Sequence, residues 1–303
     1  MPAGALTGRL RALHSTACSV NTFAPSSGIG FNGRHSQREK AMTALSGKVC
    51  IVTGGGSGIG RAIVLEMANM GAKVAVTGRT LAKLDAVVDE TSSAPGEARA
   101  YAMDVSDYVA VNAVVADVVD RWGRVDVLVN NAGANVPHRG TIDTTHEEIE
   151  RLIAVNLTGT IFCTKAVLPA MLEQDVGTIV NVSSNAALWP GMMSGVAYAA
   201  AKAGVNNFTE FLGDELQHTG IRACVISPGE VVTPILEYRS TPPDESARRT
   251  MCQPEDIAEA VVFTCTLPAR ATVTEMVINP TVSRDASAEL IPWPGSATLL
   301  GRN

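Results

Sequence analysis

Residues 51–60 read Ile-Val-Thr-Gly-Gly-Gly-Ser-Gly-Ile-Gly, and the reading of this stretch decides the fold. An apolar run over 49–52 precedes it, as a buried strand would, and residues 61–70 beyond it carry apolar side chains at helical spacing. A glycine-rich turn from strand to helix aims backbone N–H groups and the positive end of a helix at one point, and the commonest occupant of that point is a phosphate. The generic fingerprint G-x-G-x-x-G fails in every register, because Ile59, Arg61 and Ile63 stand where its last small residue belongs. What stands instead is T-G-x-x-x-G-x-G, formed by Thr53, Gly54, Gly58 and Gly60. The reasons for glycine carry over: Gly54 for a tight turn, Gly58 for close approach to a pyrophosphate, Gly60 for packing helix on strand. Read by itself, the stretch also fits an ordinary strand-to-helix loop.

Working outward, seven short apolar segments, at 49–52, 74–77, 100–103, 125–129, 178–182, 222–226 and 275–278, alternate with helical ones at 61–70, 81–91, 110–122, 147–172, 196–218 and 256–266. Near-continuous apolar strands are those buried on both faces, and strict alternation with helices predicts a parallel sheet covered on both sides. Thr145 with Glu148 forms a capping box, and Pro254 suits a first helical turn. No compositional break divides the chain after residue 44, so one domain over 44–285 is expected, with a proline-containing tail at 286–303. Ligands of such a sheet gather at the carboxyl ends of its strands, which here deliver small or polar residues.

Of 303 residues, 46% are hydrophobic and 18% charged, enough apolar surface for a sizeable core. The formal charge is −6, yet residues 1–41 hold five basic residues against Glu39, leaving 19 basic and 29 acidic residues, or −10, in the remainder. An acidic body argues against nucleic acid as a partner, and the absence of a long uncharged apolar run argues against a membrane span. Residues 1–43 are expected to be a disordered leader, with a transit peptide as the alternative; the location expected is cytoplasmic, or an organelle if the leader is a transit peptide. Six scattered cysteines without a C-x-x-C pair fit a reducing compartment, and the dispersed histidines and cysteines predict no metal site.

Six motifs in order resemble the short-chain dehydrogenase/reductase family over about residues 44–285: T-G-G-G-S-G-I-G at 53–60, N-N-A-G at 130–133, V-N-L-T-G at 155–159, V-S-S at 182–184, Y-A-A-A-K at 198–202 and S-P-G-E-V-V-T-P at 227–234. The resemblance implies an α/β, Rossmann-like, doubly wound fold with a seven-stranded parallel sheet and helices on both faces. It implies a catalytic set of Asn156, Ser184, Tyr198 and Lys202. Ser184 stands 14 residues before Tyr198, slightly long for the family; Ser183 and Asn185 are the neighbouring alternatives. For the cofactor it implies Gly54, Gly56, Ser57, Gly58, Ile59 and Gly60 at the turn, Asp104 with Val105 toward adenine, and Asn131, Ala132 and Gly133 near the adenosine ribose. Tyr198 and Lys202 reach the nicotinamide side, with Pro228, Gly229, Val231 and Thr233 around the carboxamide.

The chemistry makes sense of these residue types. Hydride transfer to a carbonyl needs a proton donor at its oxygen, and a phenol of pKa about 10 is a reluctant base for the reverse reaction. Tyr198 and Lys202 lie four apart, on one helix face. An ammonium near 4 Å from the phenolate contributes about 4 kcal/mol at an effective dielectric of 20, which predicts a lowered tyrosine pKa. Ser184 would hold the substrate oxygen. Asn156 sits mid-helix, where asparagine competes for backbone hydrogen bonds and helps open the helix; in the family that opening links the lysine to solvent.

An NAD site expects an acidic residue about 20 positions past the glycine turn to hold the ribose 2′-OH. Arg79 stands there instead, which suits a 2′-phosphate and favours NADP(H), although Ser57 occupies a site often basic in NADP-preferring relatives and NAD(H) stays open. The expected partners are a small carbonyl or secondary-alcohol substrate and further copies of the chain, as a dimer or tetramer. An NAD-dependent dehydrogenase of an alcohol, sugar or polyol is the enzymatic alternative, and a non-catalytic NADP-binding redox sensor is the alternative of another class. Residues 235–253 are expected to be a mobile substrate lid, with Trp189, Met192, Met193, Asn135 and His138 as further pocket candidates.

Overall fold

A computed structural model describes residues 44–239 and 241–286. The expected leader, the tail beyond 286, Cys18 and Ser240 of the expected lid lie outside the described residues. The strands are β1 (Val49–Thr53), β2 (Lys73–Gly78), β3 (Glu97–Ala102), β4 (Val127–Asn130), β5 (Gly177–Val182), β6 (Ile221–Pro228) and β7 (Glu275–Ile278). They form one parallel sheet in the order β3-β2-β1-β4-β5-β6-β7. From β1 the chain winds outward to β3, then returns to β4 on the other side. The crevice opens where the strand order reverses, between the carboxyl ends of β1 and β4.

The helices are α1 (Gly58–Asn69), α2 (Leu81–Glu90), α3 (Tyr108–Trp122), α4 (His146–Ile153), α5 (Gly159–Gln174), α6 (Val196–Glu215), the one-turn α7 (Glu245–Arg248) and α8 (Pro254–Thr266). Alternate strand residues feed two cores. Cys50, Val52, Val74 and Val129 pack with Ile63 and Met67 of α1, Leu84 of α2 and Ile257 of α8. Val49, Ile51, Ala75 and Leu128 face the opposite way, toward Val115 of α3, Val167 and Met171 of α5, and Leu212 of α6. With both faces covered, each strand needs apolar residues at every position, which is why β1 and β4 read as unbroken runs. Each fully buried Val, Leu or Ile contributes about 1.5–3 kcal/mol.

The edge strand β3 begins at Glu97, three residues before the segment expected at 100–103. Glu97 and Arg99 alternate with Ala98 and Ala100 because only part of this strand is covered, so its apolar signal is weak. The helix expected over 147–172 is continuous from His146 to Gln174 but wound as a π-helix over Ala154–Thr158. By length and composition it is apolar enough to cross a membrane; its residues Cys163, Val167 and Met171 are instead spent on the sheet. The capping box at its start is present, with the Glu148 N–H donating to Thr145 Oγ1 at 3.2 Å and the Thr145 N–H to Glu148 Oε2 at 3.0 Å.

Candidate active site

The glycine turn after β1 is locked to the end of β4. Thr53 Oγ1 accepts the N–H groups of Asn131 at 3.0 Å and Ala132 at 2.9 Å. Asn131 Nδ2 donates back to the carbonyls of Thr53 at 2.9 Å and Gly54 at 3.3 Å. The asparagine side chain expected near a ribose is therefore spent on the turn, and what it offers a ligand is backbone. Two glycines are obligatory by geometry. Gly54 has φ +66°, and a Cβ on it would come 3.0 Å from Ala132 Cα. A Cβ on Gly60 would fall 2.2 Å from the Gly54 carbonyl oxygen, so Gly60 packs α1 onto the turn rather than facing the crevice.

Above this floor opens a cleft of about 820 Å³, within the range of small-molecule sites. Of the catalytic set, Ser184, Tyr198 and Lys202 line it and Asn156 does not. Ser184 stands two residues past β5 and accepts the Ala186 N–H at 3.2 Å, which leaves its own proton to donate toward Tyr198. Ser183 is buried, its hydroxyl donating to the Lys202 carbonyl at 3.2 Å, so the geometry separates the two serines in favour of Ser184. Asn185 lines the cleft, but its amide nitrogen donates to Asn279.

Tyr198, in the first turn of α6, is half-buried. Burial pushes its phenol up; the Ser184 hydroxyl, as a hydrogen-bond partner, and the Arg139 guanidinium pull it back only in part. The expectation of a phenol brought down by Lys202 is thereby corrected. Lys202 Nζ stands 5.8 Å from the centre of the tyrosine ring and donates at 2.8 Å to the Val182 carbonyl. Burial draws the lysine itself down to a pKa of about 8. The free protein thus keeps a protonated tyrosine beside a lysine that holds its charge weakly.

Asn156, fully buried at the centre of the π turn, lies behind the cleft. Its Nδ2 donates to the carbonyls of Leu152 at 2.8 Å and Ala134 at 3.0 Å, while its Oδ1 accepts the Ala134 N–H at 3.1 Å. It positions the strand-end loop through Ala134, which lines the cleft, and does not line the cleft itself.

At the opposite end, Gly54, Ser57, Gly58, Ile59, Arg79 and Ala132 line the cleft, as do Gly133, Pro228, Gly229, Val231 and Thr233 nearer the catalytic cluster. Gly56, Gly60, Asp104 and Val105 do not. Val105 is buried against Gly159, the first residue of α5. Asp104 Oδ1 accepts both the backbone N–H and the hydroxyl of Ser106, at 2.9 and 2.6 Å. Burial would raise its carboxyl, but those bonds and the Arg79 charge keep it low. Lys83, which the sequence reading missed, joins Arg79 on the wall. Its only advance signal was a spacing of four from Arg79, invisible until the chain turns from β2 into α2.

The substrate side was legible in part. Trp189, Met193 and Asn135 line the cleft; Met192 and His138 do not, and His138 pairs with Glu148 at 2.8 Å. Ile235, Leu236, Tyr238 and Met251 of the expected lid line it too, whereas Arg249 points out to an exposed partner, Glu245. Missed altogether were Arg139, after β4, and the group around Glu230. Burial favours the neutral form of Glu230, but hydrogen bonds from Arg284 at 2.6 Å and Arg239 at 2.8 Å hold it low. The Arg139 guanidinium donates to the carbonyls of Ser194 at 2.9 Å and Tyr238 at 3.1 Å. Burial, and then the nearby Arg239, draw its pKa down to about 10.

The chain is similar to known proteins in sequence and in fold. A family model described as short chain dehydrogenase matches residues 48–244. An uncharacterised oxidoreductase of Staphylococcus aureus strain USA300 is 36% identical over 239 residues, covering 79% of this chain and 100% of the relative. Among solved structures, a metagenomic short-chain oxidoreductase in complex with NADP is 34% identical with a TM-score of 0.69, covering 79% of this chain and 100% of that one. A serine dehydrogenase in its closed form with NADP+ is 31% identical with a TM-score of 0.72, covering 78% and 97%.

Proposed function

The chain belongs to the short-chain dehydrogenase/reductase family and is an oxidoreductase of that type, and from that premise we propose that it interconverts a small carbonyl compound and its secondary alcohol with NADP(H). The observation that carries this reading is one cleft with Ser184, Tyr198 and Lys202 at one end and Arg79 with Lys83 at the other. The cleft fits the cofactor: Gly58, at φ +52°, lines it with bare backbone that a pyrophosphate can approach, and the two cations suit a 2′-phosphate, which a bare ribose lacks. Lys83 also supplies the second basic group that Ser57 does not. The solved relatives bound to NADP and NADP+ support the same choice.

When bound, the reduced nicotinamide supplies the hydride. Tyr198, kept protonated by burial, gives its proton to the substrate oxygen, and Ser184 donates a hydrogen bond to the same atom as charge develops there. Lys202 has two further N–H groups besides the one on Val182, enough to hold a ribose hydroxyl and reinforce the phenolate left behind. Asn156 holds the loop on which Ala134 sits. Self-association is part of this reading. Leu172 on α5 and Phe211 on α6 are 49% and 59% exposed, on helices of one layer, as uncovered apolar faces of an assembly would be; a monomer in analytical ultracentrifugation removes it.

The test is turnover of a panel of ketones with NADPH and NADH. Wild type reduces at least one with NADPH preferred, Tyr198→Phe loses about 10³-fold or more in kcat, and Arg79→Asp shifts preference toward NADH. A protein that binds NADPH tightly but turns over nothing favours a redox-sensing role instead.

A further inference from the structure

The cleft is basic although residues beyond 41 carry a net −10. Among the described residues, Glu230 is the one acidic side chain lining it, and it is already bound to Arg239 and Arg284. Arg79 and Lys83 answer the cofactor. Arg139 stands at the other end, beside the reacting groups, where a cofactor phosphate does not account for it.

The placement of Arg139 is built. Its carbonyl accepts the N–H of Val196, the first residue of α6, at 3.0 Å. Gly195 just before has φ +84°, and a Cβ there would fall 3.0 Å from Arg139 Cδ. The glycine thus lets the arginine stem lie across the start of α6, one helical turn, about 5.4 Å, before Tyr198. A guanidinium has five N–H donors. Two are spent on the carbonyls of Ser194 and Tyr238, and no carboxylate among the described residues pairs with the group. A half-buried cation without a counter-ion is expensive, and the lowered pKa of Arg139 reflects that cost. A bidentate carboxylate entering the cleft would relieve it.

We propose that Arg139 receives a carboxylate of the substrate, so that the compounds reduced are short oxo acids and the products the corresponding hydroxy acids. This rests on the oxidoreductase reading above and specifies its substrate class. With the carboxylate on Arg139, a carbonyl a few bonds away falls beside Tyr198 and Ser184. The bond to the Tyr238 carbonyl also ties the segment after β6 to the same guanidinium.

The experiment compares kcat/KM with NADPH for 2-oxobutanoate and 3-oxobutanoate against their methyl esters, in wild type, Arg139→Gln and Arg139→Lys. Expected is a preference of tenfold or more for at least one free acid in wild type, falling to within threefold of unity in Arg139→Gln, chiefly through KM of the acid. Arg139→Lys keeps an intermediate preference. Effects of the substitution on Tyr198 fall on acid and ester alike and cancel in the ratio, as does a purely structural latch between the two loops. A wild-type ratio near one for both pairs, or a ratio unmoved by Arg139→Gln, overturns the proposal. Binding of malonate to the NADPH-bound protein, measured by calorimetry, separates the two levels of inference. If nothing is turned over yet malonate binds wild type and not Arg139→Gln, the anion site stands and the reductase reading falls. If malonate does not bind wild type, the anion site falls.

Discussion

A lysine only 4% exposed is costly, and Lys202 is held there for chemistry rather than stability. Its folded pKa of about 8 lies below the unfolded value of 10.5. The sign follows from proton counting: between those values the unfolded chain binds a proton that the folded one lacks, so stability rises with pH across the window, and below about 8 the full penalty is present. At neutral pH that penalty is of order 3 kcal/mol, against about 1 kcal/mol recovered from the bond to Val182. Lys202→Met is therefore expected to abolish turnover and yet stabilise the fold by about 1–2 kcal/mol at pH 7 in urea melts, the gain vanishing before pH 10.5, where only the loss of the Val182 bond remains. A variant less stable than wild type at pH 7 contradicts the account. The spacing of four made the Tyr198–Lys202 pair legible in the sequence, because it puts both on one helix face. It said nothing of where the ammonium points, since the competing acceptor, the Val182 carbonyl, arrives from β5, twenty residues earlier.

At the scale of elements, the π turn at Ala154–Thr158 does what a straight helix cannot: it turns Asn156 inward to hold a loop from another strand. The apolar period over 147–172 predicted the helix and hid the turn, because one widened turn barely disturbs a pattern of that length. The misfit of asparagine in mid-helix was the visible trace. Asn156→Ala strands the Ala134 N–H and the carbonyls of Ala134 and Leu152 in the interior. Each orphan costs about 1–3 kcal/mol, and with partial relaxation a loss of about 2–4 kcal/mol is expected in thermal or urea unfolding. Asn156→Asp is expected to fare no better, because a carboxylate oxygen would face the Ala134 and Leu152 carbonyls in place of the amide. If Asn156→Ala unfolds with wild-type stability while losing activity, the side chain acts in proton transfer and not through the loop.

Across the whole molecule the sign of the charge reverses between body and cleft. Composition shows the acidic body, but no window of sequence shows the basic cleft, because its cations come from separate crossovers: Arg79 and Lys83 after β2, Arg139 and Arg151 after β4, Lys202 after β5, Arg239 after β6 and Arg284 after β7. Only the rule that parallel strands deliver their carboxyl ends to one edge brings them together. Cations gathered in a low-dielectric cleft steer anions, and the effect is screened by salt, the Debye length falling from about 30 Å at 0.01 M to about 10 Å at 0.1 M. An acidic surface around the cleft repels the same anions, so attraction has to come from the nearest cations, and Arg79 with Lys83 are those nearest the turn that would seat a 2′-phosphate. The KM for NADPH is therefore expected to rise about fivefold or more between 20 and 300 mM KCl, and that for NADH by less, since NADH carries no 2′-phosphate. In a protein with both Arg79→Gln and Lys83→Gln the two salt dependences should converge. Initial rates at saturating ketone over a salt series measure this directly, and an NADPH dependence as shallow as that of NADH in the wild type would place the 2′-phosphate away from these two side chains.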